Sequence, residues 1–246
     1  MKALLAGSWH AALFDLDGVL TATASLHADA WRQTFDGVLA EWARRTGTRQ
    51  APFDVERDYV AHVDGKPRLD GVRGFLRARC IDAPPGGPCS PPGEWSVHGI
   101  ANRKQQLVER ALAAGRVEPF AGSVRWVEQL RAAKVPTAVV SSSANARAVL
   151  RSARIDGMFD VVVDGDDLKR LGLRGKPAPD GFLEAAARLA VEPARAIVVE
   201  DALAGVAAGR AGGFGLVIGV ERGAGRAGLL RAGADLVVND LRELVR

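Results

Sequence analysis

The chain has 246 residues, of which 48% are hydrophobic and 25% charged, a composition that can bury one or two ordinary cores and that excludes a disordered chain or a small disulfide scaffold. Its 33 basic residues exceed the 29 acidic ones to give a formal charge of +4, but the arginines are spread along helical stretches and not gathered on one face, which argues against nucleic acid as a partner. No apolar run reaches the roughly 18 residues a membrane span requires, and the opening MKALLAGSWH is broken by Ser8, Trp9 and His10 before a leader's apolar stretch can develop, so a soluble protein is expected.

The first apolar run, Ala11 to Phe14, stops abruptly at Asp15-Leu16-Asp17-Gly18, the pattern of a short buried strand that delivers carboxylates at its C-terminal end. From Ala24 to about Arg116 there is no strand pattern, only amphipathic segments near 24–45, 68–79 and 95–115, which predict a helical insert. Within it, the Pro/Gly-rich stretch from Asp82 to Gly93 can be neither helix nor strand, because proline lacks the N–H and glycine offers nothing to pack. Cys80 and Cys89 lie in or beside this loop without metal-type spacing to histidine, so reduced thiols in a cytoplasmic protein are expected, with a disulfide between them left open.

After the insert, strand-length apolar runs recur at 136–140, 159–163, 196–199, 214–220 and 235–238. Helical patterns alternate with them near 122–134, 144–153, 180–190, 202–212 and 225–232. Such alternation predicts an α/β fold, a parallel sheet with helices on both faces. Residues 1–24 and 117–246 are assigned to this core and 25–116 to the insert. Asp164, Asp166 and Asp167 form an acidic cluster in which Asp166 or Asp167 is expected to cap a helix.

Several strand ends carry polar groups: Asp15 and Asp17, then Ser141-Ser142-Ser143, then Lys176 in the segment following the third strand, then Glu200-Asp201. In an open parallel sheet those ends border one crevice, so a single site can collect them. Four carboxylates in a small volume repel one another unless a cation is bound, and oxygen-only donors favour Mg²⁺, which characteristically shares carboxylates with a substrate phosphate. Lys176 and the serine hydroxyls would complete a phosphate cradle, with Ser143 and Asn145 at the start of a helix whose unpaired N–H groups favour an anion.

With these motifs in place, the chain resembles the haloacid dehalogenase superfamily, in its β-phosphoglucomutase-like branch. Phe14-Asp15-Leu16-Asp17-Gly18-Val19, Val140-Ser141-Ser142-Ser143, Gly175-Lys176-Pro177-Ala178-Pro179-Asp180 and Glu200-Asp201-Ala202-Leu203-Ala204-Gly205-Val206 resemble the four motifs of that superfamily. The resemblance implies a Rossmann-like core with an inserted helical cap. It implies Asp15 as the nucleophile that forms an aspartyl phosphate and Asp17 as general acid and base. It also implies Mg²⁺ held by Asp15, the Asp17 carbonyl, Asp201 and Glu200.

For the branch, Thr21 to His27 and the following Trp31 resemble the hinge and first cap helix, with Thr23 and His27 at functional positions. Asp64-Gly65-Lys66-Pro67-Arg68 resembles the cap loop for the substrate's non-reacting phosphate, with Arg68 as its grip, and Arg103-Lys104-Gln105 a segment whose lysine orients the acid/base through His27. Each cap residue also has a plainer reading: His27 as a core histidine, Arg68 in a solvated turn, Lys104 as an exposed helix lysine. Ala22 and Ala144 depart from the branch pattern, where aspartate and lysine are usual, and the Pro/Gly-rich loop enlarges the cap.

The resemblance implies interconversion of β-D-glucose 1-phosphate and glucose 6-phosphate through an aspartyl phosphate and a bisphosphate. Two other readings stand beside it, a Mg²⁺-dependent sugar or polyol phosphate phosphatase of the same superfamily and a non-catalytic binding module. The expected partner is a small phosphorylated sugar, with neither nucleic acid nor membrane, and the expected assembly a monomer or weak dimer.

Overall fold

The computed structural model describes residues 9–115 and 117–245. The reading of the opening segment 1–8, and position 116 as the last of the insert, fall outside the described residues. In chain order the elements are β1 (Ala11–Phe14), α1 (Ala24–Thr46), α2 (Val60–His62), α3 (Arg68–Ala78), α4 (Val97–Ala114), α5 (Ala121–Ala132), β2 (Thr137–Val140), α6 (Ala146–Ser152), β3 (Val161–Val163), α7 (Gly165–Leu171), α8 (Asp180–Arg188), β4 (Ala196–Glu200), α9 (Leu203–Ala211), β5 (Leu216–Val220), α10 (Arg226–Ala232) and β6 (Leu236–Val238). The chain divides into two compact units, Met1–Ala22 with Val117–Arg246, and Thr23–Arg116.

The first unit is built on a six-stranded sheet of order β3-β2-β1-β4-β5-β6. All five pairings are parallel, as the alternation of strands and helices predicted. β1 and β4, central in the sheet, are buried along their whole length, which is why they read as unbroken apolar runs. Period-two alternation sends Ala11 and Leu13 into a cluster with Phe182, Val206 and Leu229, while Phe14 turns to the other face and meets the Trp126 ring edge-on, with centroids 5.5 Å apart.

The predicted strands and core helices all form, within a few residues at their ends. One expectation is corrected. The helix that Asp166 or Asp167 was expected to cap, α7, is capped instead by Asp164: residue 164 is extended and its Oδ1 accepts the N–H groups of Asp166 at 3.1 Å and Asp167 at 2.9 Å, so those two aspartates occupy the first turn.

The second unit is helical, with no strand among its described residues. A π-helical turn at Val55–Tyr59, followed by the short α2, was not foreseen; Asp54 starts it by accepting the Arg57 N–H at 2.8 Å. Its core is aromatic: Phe35 stacks on Phe75 with centroids 3.9 Å apart and on Trp31 at 4.9 Å. Residues 81–94 form neither helix nor strand, and Asn102 Nδ2 ties this stretch to α4 by donating to the carbonyls of Pro88 at 3.0 Å and Ser90 at 2.8 Å. Cys80 and Cys89 are exposed free thiols, so no disulfide joins them. Among the described residues no helix is long and apolar enough to cross a membrane.

Candidate active site

The site is assembled where the central strands end. The Asp15 N–H still joins the ladder, donating to the Val199 carbonyl at 2.9 Å, so its carboxylate emerges one residue past β1. Three residues later the chain must turn: Gly18 adopts φ +90°, and a β-carbon there would stand 1.9 Å from Asp201 Oδ2. Glycine is required both for the backbone conformation and for the close approach of Asp201. The turn closes with Gly18 N–H donating to the Thr21 carbonyl at 2.8 Å and Thr21 N–H to the Leu16 carbonyl at 3.0 Å.

Lys176 is the electrostatic centre. Its ammonium is buried, donates to Asp15 Oδ1 and to the Val140 carbonyl at 2.9 Å, and lies 2.6 Å from Glu200 Oε1. Burial alone would discharge it, yet Asp15 and Glu200 together outweigh that and hold its pKa well above the ordinary lysine value. Burial pushes the Glu200 carboxyl up, against the pull of Lys176. Its other oxygen, Oε2, accepts the N–H groups of Asp201 at 3.0 Å and Ala202 at 3.1 Å. Lys176 itself is presented by a loop pinned from outside, where Asp180 at the start of α8 accepts from the Arg174 backbone N–H at 3.0 Å and its guanidinium at 2.8 Å.

Asp15, Glu200 and Asp201 are all buried, and each brings a carboxylate oxygen within 4.8 Å of the others. Three oxygen donors at this spacing suit a hard divalent cation, with the ammonium of Lys176 supplying part of the positive charge. Asp17, half-buried, stands outside this trio.

The serine segment follows β2. Ser141 N–H donates to the Val163 carbonyl at 3.0 Å, Ser141 Oγ accepts the Ser143 N–H at 3.1 Å, and Ser143 Oγ accepts the Asn145 N–H at 3.1 Å. Ser141 is buried, whereas Ser142, Ser143 and Asn145 are partly open and Ala144 is exposed. Helix α7 braces this loop. A β-carbon at Gly165 would come within 2.7 Å of the Ser142 carbonyl, and Arg147 Nε holds Asp164 at 2.8 Å.

In the helical unit, Lys104 Nζ lies 2.8 Å from His27 Nδ1. An ammonium can only donate, so Nδ1 is the acceptor and the imidazole proton sits on Nε2. Burial and then the Lys104 charge push the His27 pKa well below its ordinary value, keeping the ring neutral. Lys104 is buried and stacks its ammonium over Trp31, 5.2 Å from the ring centroid, so Trp31 is a core residue that backs the pair. Thr23, buried at the start of α1, accepts the His27 N–H on its carbonyl at 3.0 Å. The second group of cap residues is more open: Gly65 takes φ +69°, Lys66 Nζ donates to the Ala61 carbonyl at 2.9 Å, and Arg68, first residue of α3, donates from Nη1 to Gln105 Oε1.

A sequence profile described as haloacid dehalogenase-like hydrolase matches residues 9–213. The chain is 51% identical over 239 residues to a β-phosphoglucomutase of Mycobacterium bovis, covering 96% of this chain and 91% of that protein. It is 30% identical over 207 residues to the fructose-1-phosphate phosphatase YqaB of Escherichia coli, covering 83% of this chain and 93% of the other. Among solved structures, a β-phosphoglucomutase from Clostridium difficile superposes with a TM-score of 0.73 at 25% identity, covering 96% of this chain and 93% of that one.

Proposed function

Because the chain belongs to the haloacid dehalogenase-like hydrolase family, we propose that it acts as a β-phosphoglucomutase, interconverting β-D-glucose 1-phosphate and glucose 6-phosphate. The observation that carries the choice of mutase is the 51% identity to a β-phosphoglucomutase along 96% of the chain. The buried Asp15, Lys176, Glu200 and Asp201 at the strand ends support phosphoryl transfer as the chemistry.

In this reading an Asp15 carboxylate oxygen attacks phosphorus, the P–O bond to the sugar breaks, and Asp17 delivers a proton to the departing sugar oxygen. In the return step Asp17 takes the proton from the other sugar hydroxyl as that oxygen attacks the aspartyl phosphate and Asp15 is released. Lys176 holds the nucleophile and places positive charge beside the transferring group. Ser141, Ser142, Ser143 and Asn145 bind the phosphoryl oxygens. Thr23, His27 and Lys104 orient Asp17 and the substrate, with Trp31 packed behind the His27–Lys104 pair, and Gly65, Lys66 and Arg68 bind the phosphate that is not being transferred. Asp15, Glu200 and Asp201, with the Asp17 carbonyl, are the residues that would hold Mg²⁺, which when bound offsets repulsion between these carboxylates and the phosphate dianion. The enzyme works in the cytoplasm on a small phosphorylated sugar, as a monomer or weak dimer.

The phosphatase reading is kept alive by the 30% identity to YqaB, since the same core serves transfer to water. Incubation with Mg²⁺, β-glucose 1-phosphate and a trace of glucose 1,6-bisphosphate, following glucose 6-phosphate and free phosphate together, separates the two. The mutase reading expects glucose 6-phosphate in large excess, abolished by EDTA. Stoichiometric free phosphate would establish the hydrolase instead.

A further inference from the structure

The turn that carries Asp17 is held from a second side, by the loop after β5. Arg222 Nε donates to the Gly18 carbonyl at 2.9 Å and its Nη1 to the Asn239 carbonyl at 2.8 Å. The guanidinium also lies 4.2 Å from the centroid of Phe120, whose own N–H donates to the Leu20 carbonyl at 2.9 Å. One arginine thus ties both ends of the Gly18–Leu20 turn, one directly and the other through the ring it covers. Its remaining nitrogen, Nη2, is buried without an acceptor among the described residues. An unmet buried donor on a cation destabilises a fold, so stability alone does not account for arginine at this place.

The carbonyl it grips is the informative one. Gly18 follows Asp17 directly, at φ +90°, and the peptide planes flanking a glycine reorient more freely than those of any other residue. A rotation there would reorient the turn that carries Asp17. We propose that Arg222 is a positioning residue for phosphoryl transfer, fixing the Gly18 peptide so that Asp17 keeps the orientation its proton transfers require. Arg222 contacts no reacting atom in this account. The inference rests on the roles of Asp15 and Asp17 given above.

The test compares the full-length wild type with Arg222→Met, which removes charge and donors at similar length, and Arg222→Lys, which keeps one cationic donor. Backbone hydrogen exchange is read over residues 15–22 and, as a control, over β5, alongside kcat and KM for the mutase reaction. Arg222→Met should lose about tenfold protection at Gly18 and Thr21 with β5 unchanged, and kcat should fall about tenfold to a hundredfold with KM within about twofold. Arg222→Lys should recover part of both. Unchanged protection at 15–22 would overturn the proposal, as would protection lost uniformly across the sheet, which marks a fold-stabilising residue. Should the wild type fail to interconvert the sugar phosphates, the mutase reading falls, and exchange together with hydrolysis of p-nitrophenyl phosphate still decides the role of Arg222.

Discussion

Gly205 and Glu200 are so closely apposed that a β-carbon on the glycine would stand 1.7 Å from Glu200 Oε1. Gly205 is the third residue of α9, and the glutamate folds back beneath that first turn to meet Lys176. Gly205→Ala must therefore displace the carboxylate from the ammonium. Overpacking of this kind destabilises by about 1–3 kcal/mol, or a few degrees of melting temperature for each kcal/mol in a chain of this size. A thermal melt and a turnover assay should show both that fall and at least about tenfold lower kcat. Wild-type behaviour in both would mean that Glu200 does not need its present place.

Lys176→Met leaves Asp15 and Glu200 buried and facing each other without a cation. Removing one partner of a buried ion pair destabilises by about 3–5 kcal/mol. The pH dependence has a definite sign. Burial already raises the Glu200 carboxyl above its unfolded value of 4.5, and loss of Lys176 raises it further. A group shifted this way favours the fold below its unfolded pKa and withdraws that support as pH climbs through the folded one. The stability deficit of Lys176→Met should therefore be larger at pH 8 than at pH 5, as read from urea midpoints; an equal deficit at both would show that the carboxylates do not interact.

His27 gives the opposite slope. Burial and then Lys104 push its pKa well below 6.5 in the fold, so acidification protonates the unfolded chain first. Its contribution is complete above pH 6.5 and is lost progressively as pH falls below that, by at most about 1.4 kcal/mol per pH unit. His27→Gln removes the titrating group, so its melting temperature should change less between pH 7.5 and 5.5 than that of the wild type. Parallel profiles would contradict a neutral buried His27.

What the sequence made legible was what burial writes into it. Strands covered on both faces must be apolar throughout, so β1, β2 and β4 stood out, and the polar residues that interrupted them, Asp15, Ser141 and Glu200, marked the strand ends. Helix α7 did not stand out because Gly165-Asp166-Asp167-Leu168-Lys169-Arg170-Leu171 buries little apolar surface. It is held by the Asp164 cap, by the local pair of Arg170 on Asp167 Oδ1 at 2.6 Å, and by Arg147 on Asp164, a tertiary contact that no periodicity reports. Arg222 was invisible for a similar reason, since a loop arginine declares no partner. Gly205 left a usable signal: a glycine inside a helix loses about 1 kcal/mol against alanine, and a close approach is the usual reason for keeping it.

Arg68 is expected to separate the two activities that the core alone cannot. Its guanidinium, seated on Gln105, is assigned to the phosphate that stays on the sugar, which a mutase must hold and a hydrolase acting on a monophosphate need not. Loss of a charge-assisted hydrogen bond corresponds to about 1.5–3 kcal/mol. Arg68→Ala should accordingly lower mutase flux about tenfold to a hundredfold and raise the ratio of free phosphate to glucose 6-phosphate. A parallel fall in both products would remove Arg68 from the specificity account.

The central claim is that the phosphoryl group passes through Asp15 to a sugar hydroxyl and not to water. Glucose 1,6-bisphosphate carrying a radiolabelled phosphoryl group, quenched after a single turnover, tests it directly when the labelled peptide is mapped. The account predicts label on Asp15, its later appearance in the sugar phosphate product when unlabelled β-glucose 1-phosphate is added, and no labelled peptide from Asp15→Asn. Label on another residue, or label leaving Asp15 only as inorganic phosphate, would contradict it.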